Sequence, residues 1–312
     1  MPSARNAAAA EIEPFAAETR ARDARTRVLS HRSPEVSWEL WLREPPPALS
    51  GLVVGLWAGD ADTGYSCHHA LPNGELSLTF NLGPPQRVKA HGDAGSGCIV
   101  RTALVCGLQE RTITYESVTS HPRVVAVRLL PRGAWAFFDG LPLAELANEI
   151  VDLDAVLGRA AAVEPLRQRL VECADLGDAL DVLERWLVAR VVRGPAAHPS
   201  TRAALRDLTA QRGNLRIEAL ARDLGVSRRH LNGLFRREIG LSAKSLARIL
   251  RFERAQEALA AAGGSDLTQI ALDCGYYDQA HMNRDFRELA GLTPSDYAAR
   301  LFATDGWREV HS

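Results

Sequence analysis

Two clusters of Arg, Asn, Gln and His residues in the C-terminal third carry the side chains best suited to contacting nucleic-acid bases. In the major groove, arginine bonds guanine, and asparagine or glutamine bonds adenine, each through two hydrogen bonds. The candidate base-contacting residues are Arg228, Arg229, Asn232, Gln279, His281, Asn283 and Arg284. A second set is suited to phosphate contacts, which position a protein without reading sequence. Its members are Ser227, Arg236, Arg237, Asp278 and Arg287.

An internal repeat positions these side chains. The segment 220–240 recurs 50 or 51 residues later, so that Phe235 matches Phe286. Each copy predicts a short helix, a glycine-containing turn and a second helix, with Ser227 and Asp278 as the N-caps of the second helices. Apolar residues at helical spacing then face inward and leave the polar face outward. The two predicted helix-turn-helix units and the helix that joins them lie at about 216–239, 267–289 and 243–262.

The charge of the chain is unevenly distributed. Its 312 residues carry a net charge of −1, but residues 1–195 carry −4 and residues 196–312 carry +3. The segment 212–256 alone carries +7. Such a basic block indicates a polyanionic partner for this part of the chain, with a solvated helix face as the alternative.

The N-terminal part has the residue pattern of a β-rich domain. Short segments rich in β-formers alternate with turns from about residue 38 to 130, and residues 75–82 alternate between apolar and polar. Amphipathic helices follow, and Gly194, Pro195 and Pro199 then mark a domain boundary. We predict an α+β protein with a β-rich N-terminal domain, trailing helices and an all-α tandem helix-turn-helix domain. The predicted segments are a loosely ordered extension at 1–33 and domains at 34–195 and 196–312.

The second repeat carries the residues of a family signature. Its signature comprises the stretch 270–281, Phe286, and the run Gly-Leu-Thr-Pro-Ser-Asp-Tyr at 291–297. Here the C-terminal hundred residues resemble the DNA-binding domain of AraC-type (AraC/XylS) transcriptional regulators. The resemblance implies recognition helices at 227–239 and 278–289 that enter successive major grooves of double-stranded DNA. It also implies a one-component, sequence-specific regulator of transcription that is not an enzyme.

One residue departs from the family pattern. Gly233 matches Arg284 in the repeat, at a position where the first recognition helix often carries a longer side chain. Base contacts from the first repeat are therefore expected mainly from Arg228, Arg229 and Asn232.

The N-terminal half resembles the cupin-like sensor domains that precede such DNA-binding domains, and its run 69–75 resembles a turn of one uncharacterised subgroup. This resemblance implies a module that responds to an unidentified small-molecule effector or a partner. Ligand pockets are mostly apolar and aromatic with a few polar groups. The candidate ligand contacts are Trp41, Trp57, His69, Asn73 and Glu75. RNA polymerase and a second copy of the chain stay open as partners. The alternative is a ligand-binding or enzymatic cupin-like protein whose helical domain makes protein contacts.

The sequence predicts no cofactor, no metal site and no membrane association. Cys67, His68, His69 and His91 do not form the His-x-His pattern of metal-binding cupins, and adjacent strand residues point to opposite faces. Five scattered cysteines without a Cys-x-x-Cys pair favour reduced thiols. The chain shows neither the apolar core of a signal peptide nor a run that could span a bilayer. We therefore expect a cytoplasmic protein.

Overall fold

The computed structural model of the chain describes residues 23–32, 37–62, 66–90, 97–117, 122–158, 163–262 and 266–303. Within these ranges the N-terminal part is β-rich with trailing helices, and the C-terminal part is helical. The predicted α+β class is therefore confirmed.

Antiparallel strands form two sheets in the N-terminal part. The strands are β1 (Thr26–Arg32), β2 (Ser37–Arg43), β3 (Val53–Asp62), β4 (Ser66–Ala70), β5 (Leu76–Asn81), β6 (Gln86–Ala90), β7 (Cys98–Val100), β8 (Ala103–Cys106), β9 (Ile113–Ser117), β10 (Arg123–Leu129) and β11 (Ile150–Asp152). The larger sheet has the order β1-β2-β3-β10-β5-β8-β11, and the smaller has the order β4-β9-β6-β7.

The first strand corrects one expectation. Residues 26–32 belong to the segment predicted to be a loosely ordered extension, yet they pair with β2 over their full length, from Thr26 opposite Arg43 to Arg32 opposite Ser37. Thr26 and Val28 are buried. The prediction was wrong here because a partner strand stabilises this segment. Residues 1–22 and 33 of the same predicted extension lie outside the described residues.

Helices cover one face of the larger sheet. They are α1 (Pro131–Phe137), α2 (Leu153–Leu157), α3 (Val163–Val171) and α4 (Leu176–Val191). The ring of Trp186 on α4 packs edge-on against Phe80 at 5.7 Å and Phe137 at 5.3 Å between ring centroids. Arg25 pairs with Glu184 at 2.9 Å, and Arg43 pairs with Asp181. These contacts show that α4 packs within its own domain.

The C-terminal part is built only of helices in the described residues. They are α5 (Pro199–Ala210), α6 (Ile217–Asp223), α7 (Arg228–Glu238), α8 (Ala243–Ala262), α9 (Leu267–Asp273), α10 (Gln279–Ala290) and α11 (Pro294–Ala303). Most buried apolar side chains of both parts form one continuous core, and a smaller separate cluster of five residues lies in the N-terminal part. In the described ranges, no helix is both long and apolar enough to cross a membrane.

Candidate nucleic-acid interface and cavity

The first helix-turn-helix unit consists of α6 and α7. Gly225 ends α6 in the left-handed region, with a φ of 67°, which glycine adopts without a steric penalty. The Ser227 Oγ atom then accepts a hydrogen bond from the backbone N–H of His230 at 3.1 Å, so the predicted N-cap is confirmed. Leu231 and Phe235 are fully buried and pack α7 against the rest of the domain.

The outer face of α7 carries four exposed arginines and a half-buried Asn232. Arg228 pairs with Glu218 of α6 at 2.8 Å. The guanidinium of Arg237 lies over the Trp135 ring, 5.7 Å from its centroid, and so contacts the N-terminal domain. The other two arginines of this helix, Arg229 and Arg236, are also exposed.

The second unit repeats this construction in α9 and α10. Gly275 has a φ of 84° in the turn, and the Asp278 Oδ1 atom accepts from the backbone N–H of His281 at 2.7 Å. The predicted N-cap is again confirmed. Met282 and Phe286 are fully buried on the inner side of α10.

The predicted base contacts on α10 differ in how exposed they are. Arg284 is exposed, whereas Gln279, His281 and Asn283 are half-buried. The Gln279 Oε1 atom accepts a hydrogen bond from the Thr268 hydroxyl at 3.1 Å, and the His281 ring lies edge-on to Tyr276 at 5.2 Å. Arg284 is thus the predicted base-contacting residue of α10 that extends furthest from the protein.

Residue placement also reveals two candidate contacts that sequence reasoning missed. Ala280 is exposed one helical turn before Arg284, and Tyr277 is 87% exposed at the entry to α10. An alanine on a recognition helix can contact the methyl group of thymine. Ala280 could have been predicted from its position four residues before Arg284, because residues four apart lie on the same face of a helix.

Several arginines of the basic segment 212–256 are engaged inside the protein. Arg248 of α8 pairs with the buried Asp285 at 2.7 Å and also with Glu288. The Arg251 guanidinium lies over the Tyr276 ring at 5.7 Å. These contacts join α8 to the second unit, so part of the local positive charge serves packing.

A cavity of about 490 Å³ lies in the N-terminal domain, between the larger sheet and the smaller sheet. Four of the five predicted ligand contacts line it, namely Trp57, His69, Asn73 and Glu75. Trp41 does not line it, because this side chain faces the opposite side of β2 and packs in the main core. Trp38, which sequence reasoning did not select, lines the cavity instead.

The cavity is mostly apolar but contains a charged pair. The Glu75 Oε2 atom lies 3.4 Å from the Nε of Arg128. Burial raises the pKa of the Glu75 carboxyl, and the positive charge of Arg128 opposes this effect. Burial also raises the pKa of the Cys106 thiol, on the cavity wall, to about 12, which keeps this thiol protonated and unreactive at neutral pH.

The described residues contain no group of three or more His, Cys, Asp and Glu side chains able to hold a metal ion. The His69 Nδ1 atom instead lies 3.1 Å from the Thr114 hydroxyl. The side chains of Cys67 and His68, and residue His91, lie outside the described residues.

Comparison with protein families gives two matches. Residues 220–300 match a model described as a helix-turn-helix domain, and residues 43–152 match a domain of unknown function, DUF6597. The first match covers both capped units and the signature of the second repeat. Residues 220–300 of the chain form a helix-turn-helix domain of the AraC type. The chain is accordingly a DNA-binding regulator of transcription.

Solved structures with similarity to this chain include three of bacterial origin. ToxT from Vibrio cholerae is 9% identical over 78% of this chain and 100% of its own, with a TM-score of 0.43. A transcriptional regulator with an AraC-type DNA-binding domain from Chromobacterium violaceum is 28% identical, over 35% and 96%, with a TM-score of 0.31. The C-terminal domain of AraT, a response regulator from Geobacillus stearothermophilus, is 26% identical, over 33% and 86%, with a TM-score of 0.31. The comparison with curated proteins gives no match.

Gly233, the departure from the AraC-type pattern, is expected to destabilise α7. A Cβ built at this position meets no atom within 4 Å, and the backbone φ lies in the ordinary helical range. Gly233→Ala is therefore expected to raise the free energy of unfolding by ~1 kcal/mol, because glycine costs that much relative to alanine in a helix interior. Urea unfolding monitored by circular dichroism would measure the change, and a lower midpoint for the variant would contradict it.

Proposed function

We propose that this regulator binds duplex DNA by inserting α7 and α10 into successive major grooves. The observation that carries the proposal is the pair of capped recognition helices, each with its apolar side buried and its polar side exposed. The proposed base contacts are Arg228, Arg229, Asn232, Gln279, His281, Asn283 and Arg284. The proposed phosphate contacts are Ser227, Arg236, Arg237, Asp278 and Arg287.

The two sets differ in how they serve binding. Exposed arginines at the C-terminal ends of α7 and α10 supply affinity for phosphates that is independent of sequence and sensitive to salt. Ser227 and Asp278 act through the backbone, since both side chains cap a helix whose N-terminus favours a phosphate. The proposed base contacts, in the N-terminal half of each helix, supply discrimination between bases.

The effector is proposed to occupy the cavity between the two sheets. A volume of about 490 Å³ falls in the range of small-molecule sites, and the walls combine the Trp38 and Trp57 rings with the Glu75–Arg128 pair. These features suit a small, largely apolar molecule that carries one polar group. We propose that binding of this molecule, without a catalytic step, is the function of the N-terminal domain.

The proposed setting is the cytoplasm, where the chain meets DNA and RNA polymerase. One copy carries two recognition helices and so can occupy two successive grooves by itself. If two copies associate, their sites are expected as paired repeats separated by turns of ~10–10.5 base pairs.

Selection of duplexes from a random library by the full-length chain, at two salt concentrations, tests the proposal. The expected result is a motif of two blocks about one helical turn apart, with binding that weakens as salt rises. Absent or salt-insensitive binding would contradict it. That outcome would favour the alternative in which the helical domain makes protein contacts.

A further inference from the structure

The N-terminal domain touches three helices of the DNA-binding domain. On α7, Leu143 packs against Gly240 just beyond the helix end, and Trp135 lies under Arg237. On α8, the backbone N–H of Gly74 donates to the Glu253 Oε1 atom at 3.0 Å.

On α10, the backbone N–H and the hydroxyl of Thr112 both donate to the carbonyl oxygen of Leu289, at 3.0 and 3.1 Å. This carbonyl belongs to the last turn of the helix, where backbone oxygens have no partner within the helix. The N-terminal domain therefore supplies hydrogen-bond donors to one carbonyl at the C-terminal end of the second recognition helix.

The contacts on α8 and α10 come from the rim of the cavity. Asn73 and Glu75, on either side of Gly74, both line it. The Glu75 N–H donates to the Asn73 side-chain oxygen at 3.3 Å, so this turn is internally bonded. Near Thr112, the cavity is lined by Gln109 and Ile113.

The contacts on α7 come from a different part of the N-terminal domain, away from the cavity. Trp135 and Leu143 are buried in the main core, with the helices that cover the other face of the larger sheet, and neither lines the cavity. The first unit is thus attached to a part of the domain that an occupant of the cavity does not touch.

We propose that an occupant of the cavity acts selectively on the second helix-turn-helix unit, through Gly74–Glu253 and Thr112–Leu289, while the first unit stays fixed to the helical layer. Binding would thereby change the position of α10 relative to α7, and with it the DNA spacing that fits both helices. This inference rests on the proposed function in one respect, namely that the cavity is the effector site.

Filling the cavity with a side chain tests the inference without knowledge of the effector. A Cβ built on Gly59, which lines the cavity, lies 3.6 Å from the Trp57 ring and 3.8 Å from Leu40, both ordinary contacts. Gly59→Val therefore places two further methyl groups in the cavity on a strand that favours valine. The expected result is a severalfold change in amide hydrogen exchange over residues 267–290, with residues 217–238 unchanged.

A double-variant background tests the route of the effect, and a control substitution tests its specificity for the cavity. The background Thr112→Val with Glu253→Leu removes the Glu253 acceptor and the Thr112 hydroxyl but keeps the backbone hydrogen bond from Thr112 to Leu289. In this background, the effect of Gly59→Val on residues 267–290 is expected to fall by more than half. That background alone is expected to increase exchange over residues 267–290 and leave 217–238 unchanged. Ser30→Val, which adds a valine to the larger sheet away from the cavity, is the matched control and is expected to change neither unit.

The inference is overturned if both units respond to Gly59→Val equally, if neither responds in a chain with native near-ultraviolet circular dichroism, or if the response persists undiminished in the double-variant background. Should Gly59→Val not fold, Gly55→Val applies the same test, because its Cβ meets only the Arg43 carbonyl oxygen at 3.4 Å. If neither folds, the double-variant background still decides: equal loosening of both units would overturn the inference. Exchange is measured without DNA, so failure of the library selection would leave this result intact.

Discussion

Arg284→Ala is expected to weaken binding to the selected DNA motif by ~1–3 kcal/mol and to leave binding to random duplex almost unchanged. The reason is that this guanidinium lies exposed on the outer face of α10, on the same side as Ala280 one turn earlier. A bidentate contact to guanine would supply discrimination of this size. Fluorescence anisotropy titrations with the motif and with a random duplex, at one fixed salt concentration, measure both effects.

Arg236→Ala is the matched control, since it removes the same exposed group from the C-terminal end of α7. It is expected to weaken both duplexes about equally and to lower the salt slope by ~0.9 for the lost phosphate contact. Equal losses on motif and random DNA for Arg284→Ala would refute its assignment as a base-contacting residue. Both positions are exposed, so neither change is expected to shift stability beyond ~0.5 kcal/mol.

The helix-turn-helix units could be predicted because their determinants are local. Gly225 and Gly275 occupy turns that require a positive φ, and Ser227 and Asp278 each bond a backbone N–H three residues later. These are interactions between near neighbours in the chain, so spacing alone specifies them.

Which polar side chains remain accessible could not be predicted, because the answer depends on partners distant in sequence. Gln279 bonds Thr268 of the preceding helix, and Arg248 pairs with Asp285, 37 residues away. Helical periodicity places such residues on a face, but it does not say which neighbouring element presents a partner there.

Which face of β2 lines the cavity could not be predicted from the sequence either. In β2, Trp38 and Trp41 lie on opposite faces, and apolar residues occur at both parities of the segment 38–42. A strand that is apolar on both faces gives no periodicity with which to choose the cavity side. That choice is made by α4, which covers the face of Trp41.

Glu253 of α8 accepts a hydrogen bond from the cavity rim, and its burial makes this an unusual position for a carboxyl group. Burial, with the nearby carboxylates of Glu75 and Glu257, raises the pKa of Glu253 to about 7, while the Gly74 N–H and Arg212 act in the opposite direction. The folded protein therefore binds this proton more tightly than the unfolded chain, whose carboxyl has the ordinary value of 4.5. The stabilisation by the neutral carboxyl is complete below pH 4.5 and is lost as the pH rises through about 7.

Glu253→Gln is thus expected to make the protein more stable than the wild type at pH 8, by on the order of 3–4 kcal/mol at about 1.4 kcal/mol per pKa unit. Glutamine is uncharged at every pH and keeps the Oε1 atom that accepts from Gly74. The difference is expected to shrink steadily toward pH 5, since the wild-type carboxyl is then largely neutral in the folded state. Urea unfolding of both chains across this range measures it, with Glu172→Gln, an exposed position just after α3 in the N-terminal domain, as the control. A variant less stable than the wild type at pH 8 would mean that the charged carboxylate strengthens the contact with Gly74, because only a net favourable charge could reverse the sign.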